Sequence, residues 1–148
     1  MSKRELAENY FKQGYNCSQS VALAFSEEMN MDEKTIAMMA SGFGGGFGRL
    51  REVCGAVSGM VMVLGALEGD ANPEDKMARL ETYKKVQELV LKFKEQNGSF
   101  ICRELIAAQE KTPSPMPDDR TKEYYKKRPC VSLVGDAAEI LENYLNNK

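Results

Sequence analysis

No stretch of this 148-residue chain alternates apolar and polar residues over the length of a strand. Several stretches instead repeat apolar residues every three or four positions, the spacing of one helix face. The pattern predicts an all-α fold, a single-domain bundle of about six to seven helices over residues 1–148. Apolar residues make up 43% of the chain, enough to give such a bundle a core.

Start and stop signals mark the helices. Ser2, with Glu5 three residues on, reads as a capping box opening a helix to Gln13, with Leu6 and Tyr10 inward and Gly14 as its stop. Asn16 is placed to cap a helix from Cys17 to Met29, and Asp32 one from Glu33 to Ser41 with Ile36 and Met39 inward. A glycine-rich turn, Gly42 to Gly48, precedes an apolar helix from Cys54 to Leu67, stopped by Gly69. Pro73 sits at a favoured first-turn position after Asn72. It predicts a long helix from Glu74 to Gln96 that buries Met77, Leu80, Tyr83, Val86, Val90 and Phe93. Ser99 is placed to cap a helix from Phe100 to Gln109. Pro113, Pro115 and Pro117 then enforce a loop. The final helix is expected from Pro129 to Asn146, with Val131, Val134, Ala138, Leu141 and Leu145 inward.

Composition removes many functions. Twenty basic and 22 acidic residues are interspersed, for a net charge of −2, and no basic block stands among aromatics, so no nucleic-acid partner is expected. Lys126-Lys127-Arg128 reads as a solvated face or an anion's neighbour. The adjacent pairs Glu27-Glu28 and Asp118-Asp119 point in different directions and read as solvated charges. The first residues carry both signs of charge and no apolar run, unlike a secretory signal. The apolar stretch Val53–Leu67 is shorter than the roughly 20 residues of a membrane span. A cytoplasmic protein without a membrane partner is expected. Histidine is absent, which excludes Ser-His-Asp and Cys-His pairs and His-ligated zinc or haem.

What remains is Cys17, Cys54, Cys102 and Cys130. In a reducing compartment, cysteines lean toward metal or redox chemistry rather than structural disulfides. Each falls in the first turn of an expected helix, where unpaired N–H groups and the helix dipole favour the thiolate. Each also lies on or beside the inward stripe, so all four could converge. Without a Cys-x-x-Cys they match neither a zinc knuckle nor a thioredoxin-type dithiol. A centre assembled by tertiary folding remains open, with Cys17, Cys54, Cys102 and Cys130 as its metal ligands. Gly44, Gly45 and Gly46 have two readings: backbone amides forming an anion nest for a cofactor, or a tight turn passing close to the cysteines. The turn is favoured. Gly55 and Gly59 let another helix come close, either a core neighbour or a dimer partner.

The ordered set Cys17, Gly-Phe-Gly-Gly-Gly, Val53-Cys54-Gly55-Ala56-Val57-Ser58-Gly59, then lone Cys102 and Cys130, resembles the C_GCAxxG_C_C family of redox-active proteins. The chain has Val-Cys-Gly-Ala where the family label reads Gly-Cys-Ala. The resemblance covers about Asn16 to Cys130 and implies redox chemistry at the cysteines without naming a substrate or an electron partner. Three readings follow. The first is an iron–sulfur cluster or another thiolate-bound metal, with zinc ranked lower. The second is a metal-free thiol–disulfide oxidoreductase with no cofactor, working through Cys17 and Cys54. The third is a homodimerising helical interaction protein with structural cysteines.

Overall fold

The computed structural model describes residues 1–107 and 114–148. The fold is all-α, with nine helices among the described residues, six of them seven residues or longer. They are α1 (Lys3–Lys12), α2 (Cys17–Leu23), α3 (Ser26–Met29), α4 (Glu33–Ala40), α5 (Gly55–Glu68), α6 (Lys76–Asn97), α7 (Cys102–Leu105), α8 (Lys122–Lys127) and α9 (Cys130–Asn146). One buried cluster joins them, including Phe11 of α1, Val21 and Leu23 of α2, Ile36 of α4, Met60 and Leu64 of α5, Leu89 and Phe93 of α6, and Leu141 of α9. None of the described helices is long and apolar enough to cross a membrane.

The caps fall largely where the sequence places them. Ser2 accepts from the Glu5 amide at 3.1 Å, and Asp32 accepts from the Lys34 and Thr35 amides. Asn16 and Gln19 form the reciprocal box that opens α2. Gly98, at φ 85°, ends α6.

Five boundaries or faces differ from expectation. The expected helix Cys17–Met29 is broken at Phe25 (φ −111°, ψ 21°), giving α2 and α3. The long helix starts at Lys76 rather than Glu74. Asp75 caps it by accepting from the Ala78 amide at 2.9 Å, while Asn72 closes the turn holding Pro73. The stripe of α6 is also shorter than expected. Leu89 and Phe93 are buried, but Met77, Leu80 and Tyr83 are exposed. At 1.5 Å per residue α6 is about 33 Å long, against about 21 Å for α5 and about 26 Å for α9 beside it, so its first turns overhang the core. Met39 likewise faces solvent. The helix expected over Phe100–Gln109 begins at Cys102, because Ile101 is held extended in an antiparallel bridge with Val53. Its expected end at Gln109 lies outside the described residues.

Gly55 and Gly59 serve the core: α5 lies on α2. A Cβ at Gly59 would stand 2.7 Å from the Ser18 carbonyl oxygen, and one at Gly55 would stand 3.0 Å from the Cys17 Cβ. Gly65, on the exposed side of the same helix, has nothing within 4 Å. Gly59→Ala should therefore destabilise by about 1–3 kcal/mol, since backbone cannot yield to the new methyl. Gly65→Ala should stabilise by up to about 1 kcal/mol through helix propensity alone. Urea denaturation of both variants checks the pair, and equal effects would contradict the packing described.

Candidate functional site

The four cysteines open four helices, as the sequence predicts. Cys17, Cys102 and Cys130 are the first residues of α2, α7 and α9, and Cys54 is the residue before α5. Each start is tied locally. The Asn16–Gln19 box fixes Cys17, and Ser18 donates to the Ala40 carbonyl at 2.7 Å. The Val53–Ile101 bridge ties the segment that carries Cys54 to the segment that carries Cys102, which α6 separates along the chain. The Cys54 amide donates to the Phe100 carbonyl at 2.9 Å, and the Cys102 amide donates to the Glu52 carbonyl at 2.6 Å.

The glycine segment lies against these starts. Residues 45 to 49 and Arg51 all have positive φ, a run that includes the non-glycine residues Phe47 (74°), Arg49 (68°) and Arg51 (65°). Each L-residue held there costs roughly 1–2 kcal/mol. The backbone folds back on itself: the Arg49, Arg51 and Glu52 amides donate to the Gly44, Gly45 and Gly46 carbonyls. A Cβ on Gly46 would stand 2.6 Å from the Cys102 Cβ, and one on Gly44 would stand 2.4 Å from the Asn16 side-chain nitrogen. Close approach thus accounts for glycine at 44 and 46.

All four cysteines line one cavity of about 380 Å³, together with Gly44, Gly45 and Gly46. Cys54, Cys102 and Cys130 are buried and Cys17 is half-buried. All four are free thiols. Their electrostatics diverge, which the shared helix-start position did not predict. Cys54 is pushed up to about 12 by burial, against an opposing pull from the Ala56 and Val57 amides. Cys102 is raised by burial as well, offset in part by Arg51, whose Nη1 donates to its Sγ at 3.7 Å. Cys17 is raised well above an ordinary thiol, first because it donates a hydrogen bond to Cys130 and then by burial. Cys130 alone is lowered, to about 7. The hydrogen bond from Cys17 acts first, burial opposes it, and Arg128, the Tyr124 hydroxyl and Arg120 add to the lowering. Burial therefore outweighs the helix-start effect at Cys54 and Cys102, and at Cys17 it adds to the larger effect of Cys130. Cys17 shares the cavity both with Cys54, the partner expected for it, and with Cys130, whose influence on its titration is the largest.

Arg128, read from the sequence as a solvated charge or an anion's neighbour, stands with three further cations that carried no expectation. Arg49, Arg51, Arg120 and Arg128 line the cavity. Arg120 donates to the Phe11 carbonyl at 2.8 Å and the Tyr15 carbonyl at 3.0 Å, and its guanidinium lies 4.1 Å from the Phe11 ring centre. Arg128 lies over Tyr124 at 5.5 Å. Asp118, expected to be a solvated charge, is instead an ion-pair hub, 3.0 Å from Arg49, 3.3 Å from Arg128 and 4.0 Å from Arg51. Those guanidiniums, Arg49 first among them, hold its carboxyl below the usual range against the opposing effect of burial. One signal was available in the sequence: Arg49 and Arg51 directly follow the glycine run, and Arg128 directly precedes Pro129-Cys130.

Among the described residues, no group of three or more Cys, Asp and Glu side chains is arranged to hold a metal ion, so Cys17, Cys54, Cys102 and Cys130 share a cavity without forming a single-ion site. A family model described as "Putative redox-active protein (C_GCAxxG_C_C)" matches residues 15–144, from just before Cys17 to the last turn of α9. The chain belongs to this family. Comparison with curated proteins and with solved structures gave no match. The C_GCAxxG_C_C match spans all four cysteines and every helix except α1.

Iodoacetamide should alkylate Cys130 before the other three cysteines at pH 7. Its rate should climb with pH around a midpoint near 7, because the thiolate fraction grows as the proton is lost. Cys17→Ala removes the donated hydrogen bond and should move that profile to higher pH. Peptide mapping after timed alkylation checks both, and a faster Cys54 would contradict the assignment.

Proposed function

We propose that this protein is a thiol–disulfide redox protein in which Cys130 is the attacking thiolate and Cys17 the resolving thiol. The placing of Cys17 and Cys130 in one cavity, at the starts of two helices in contact, with only Cys130 lowered, carries this reading. A nucleophilic cysteine must be a thiolate near working pH, and a dithiol needs its second sulfur already beside the first. A thiolate-bound metal centre has less support, since no three donors gather around one point among the described residues.

The chemistry follows from these positions. The Cys130 thiolate attacks one sulfur of a disulfide R–S–S–R. That bond breaks, a mixed disulfide forms at Cys130, and one RS⁻ departs and takes a proton from water. The Cys17 thiol loses its proton and attacks the Cys130 sulfur. The Cys17–Cys130 disulfide closes and the second RS⁻ leaves. Two electrons pass from protein to substrate, and the reverse sequence reoxidises an RSH pair. Arg128, Arg120 and Tyr124 stabilise the negative charge at Cys130. Cys54 and Cys102 act as buried packing groups at the cavity wall.

Titration with a redox buffer, followed by free-thiol counting and peptide mapping, tests this. One disulfide between Cys17 and Cys130 is expected. It should survive Cys54→Ser and Cys102→Ser, and be lost in Cys17→Ser and Cys130→Ser. Unchanged thiol counts across physiological potentials would overturn the proposal, as would iron and acid-labile sulfide in anaerobically prepared protein.

A further inference from the structure

Among the described residues, the charges around the cavity are one-sided: Arg49, Arg51, Arg120 and Arg128 line it, with Asp118 as the one described carboxylate. One oxygen of Asp118, Oδ2, meets Arg49 at 3.0 Å, Arg128 at 3.3 Å and Arg51 at 4.0 Å. Guanidinium forks suit carboxylates and other oxyanions better than any other side chain does. Two of the three, Arg49 and Arg51, hold positive φ to reach this point, and backbone strain of that kind collects at functional sites. Arg51 is 3% exposed and also donates to the Cys102 sulfur, so the anion position adjoins the sulfurs. Asp118 itself is 36% exposed and rides on the short run from Pro115 to Arg120, so its carboxylate can swing to solvent while Arg120 stays anchored on the Phe11 and Tyr15 carbonyls. A cavity of about 380 Å³ is at the small end of ligand pockets, which run from about 300 to 1,000 Å³. With Cys130 buried, it admits a small molecule and not the active site of a folded protein.

We propose, resting on the dithiol reading, that the electron partner of Cys17–Cys130 is a low-molecular-weight disulfide bearing carboxylates, with its thiol form, and that one carboxylate displaces Asp118 from Arg49, Arg51 and Arg128. The carboxylate is not consumed. It positions the disulfide for attack by Cys130, and the products are two equivalents of the anionic thiol and the Cys17–Cys130 disulfide.

Three small disulfides of matched size test this: dithiodiglycolate, its neutral bis-amide, and the cation cystamine. The rate of Cys17–Cys130 oxidation by each, at low salt, is divided by its rate with N-acetylcysteinamide to remove intrinsic reactivity. The dicarboxylate should then exceed the bis-amide by about tenfold, with cystamine slowest. Asp118→Asn should widen the dicarboxylate-to-amide ratio, and Arg49→Gln should narrow it. The ratio is read within one protein, so a general loss of folding or thiolate reactivity cancels. Binding of thiodiglycolate, a redox-inert dicarboxylate, measured by calorimetry, should weaken in Arg49→Gln. Equal normalised rates for the three disulfides, or cystamine fastest, would overturn the anion assignment while leaving the dithiol intact. Failure of all three to oxidise the pair would overturn both, with calorimetry still reporting whether the arginines hold a carboxylate.

Discussion

Backbone comes against side chain and backbone at a few glycines, and the placement of the sulfurs depends on those contacts. Gly55 and Gly59 bring α5 onto the first turn of α2, next to Cys17 and Ser18. Gly46 lets residues 44–52 fold against Cys102. The Val53–Ile101 bridge then ties the starts of α5 and α7, residues that the chain separates by the whole of α6. With a Cβ at these points the helix starts would be pushed apart by a methyl's width or more, and the cysteines would become separate buried thiols.

Once assembled, the cavity sets burial against charge. Removing a sulfur from water disfavours its thiolate, and Cys54 and Cys102 show that effect in the direction of their shifts. Cys130 escapes it because a thiol donates to it and cations stand near it. Arg128, which favours the Cys130 thiolate, also pairs with Asp118, so one charge serves both the sulfur and the segment that carries Asp118. In the proposed dithiol, Cys17 would serve both to lower Cys130 and as the resolving sulfur.

Much of this was legible in the sequence. Helix signals at Ser2, Asn16 and Asp32 are local, and they placed three helix starts correctly, the one at Cys17 among them. The glycine run read as a close-passing turn because no strand or phosphate-loop spacing accompanied it, and Gly44 and Gly46 bear that out. What failed depends on distant parts of the chain. The overhang of α6 follows from the lengths of its neighbours, which no periodicity within Met77–Tyr83 records. The contact of α2 with α9, which brings the helix starts holding Cys17 and Cys130 to one cavity, joins distant parts of the chain. Asp118 looked solvated because its partners, Arg49 and Arg51, lie far back in the sequence.

Trapping the mixed disulfide is the most direct measurement of the central claim. In Cys17→Ala, attack by Cys130 can start but cannot be resolved. Intact mass and peptide mapping after exposure to dithiodiglycolate should show one adduct, on Cys130, that persists. The unaltered chain should pass to the Cys17–Cys130 disulfide without accumulating it. An adduct on Cys54 or Cys102 instead, or an adduct that forms equally in Cys130→Ala, would contradict the assignment of Cys130 as the nucleophile and Cys17 as its resolving partner.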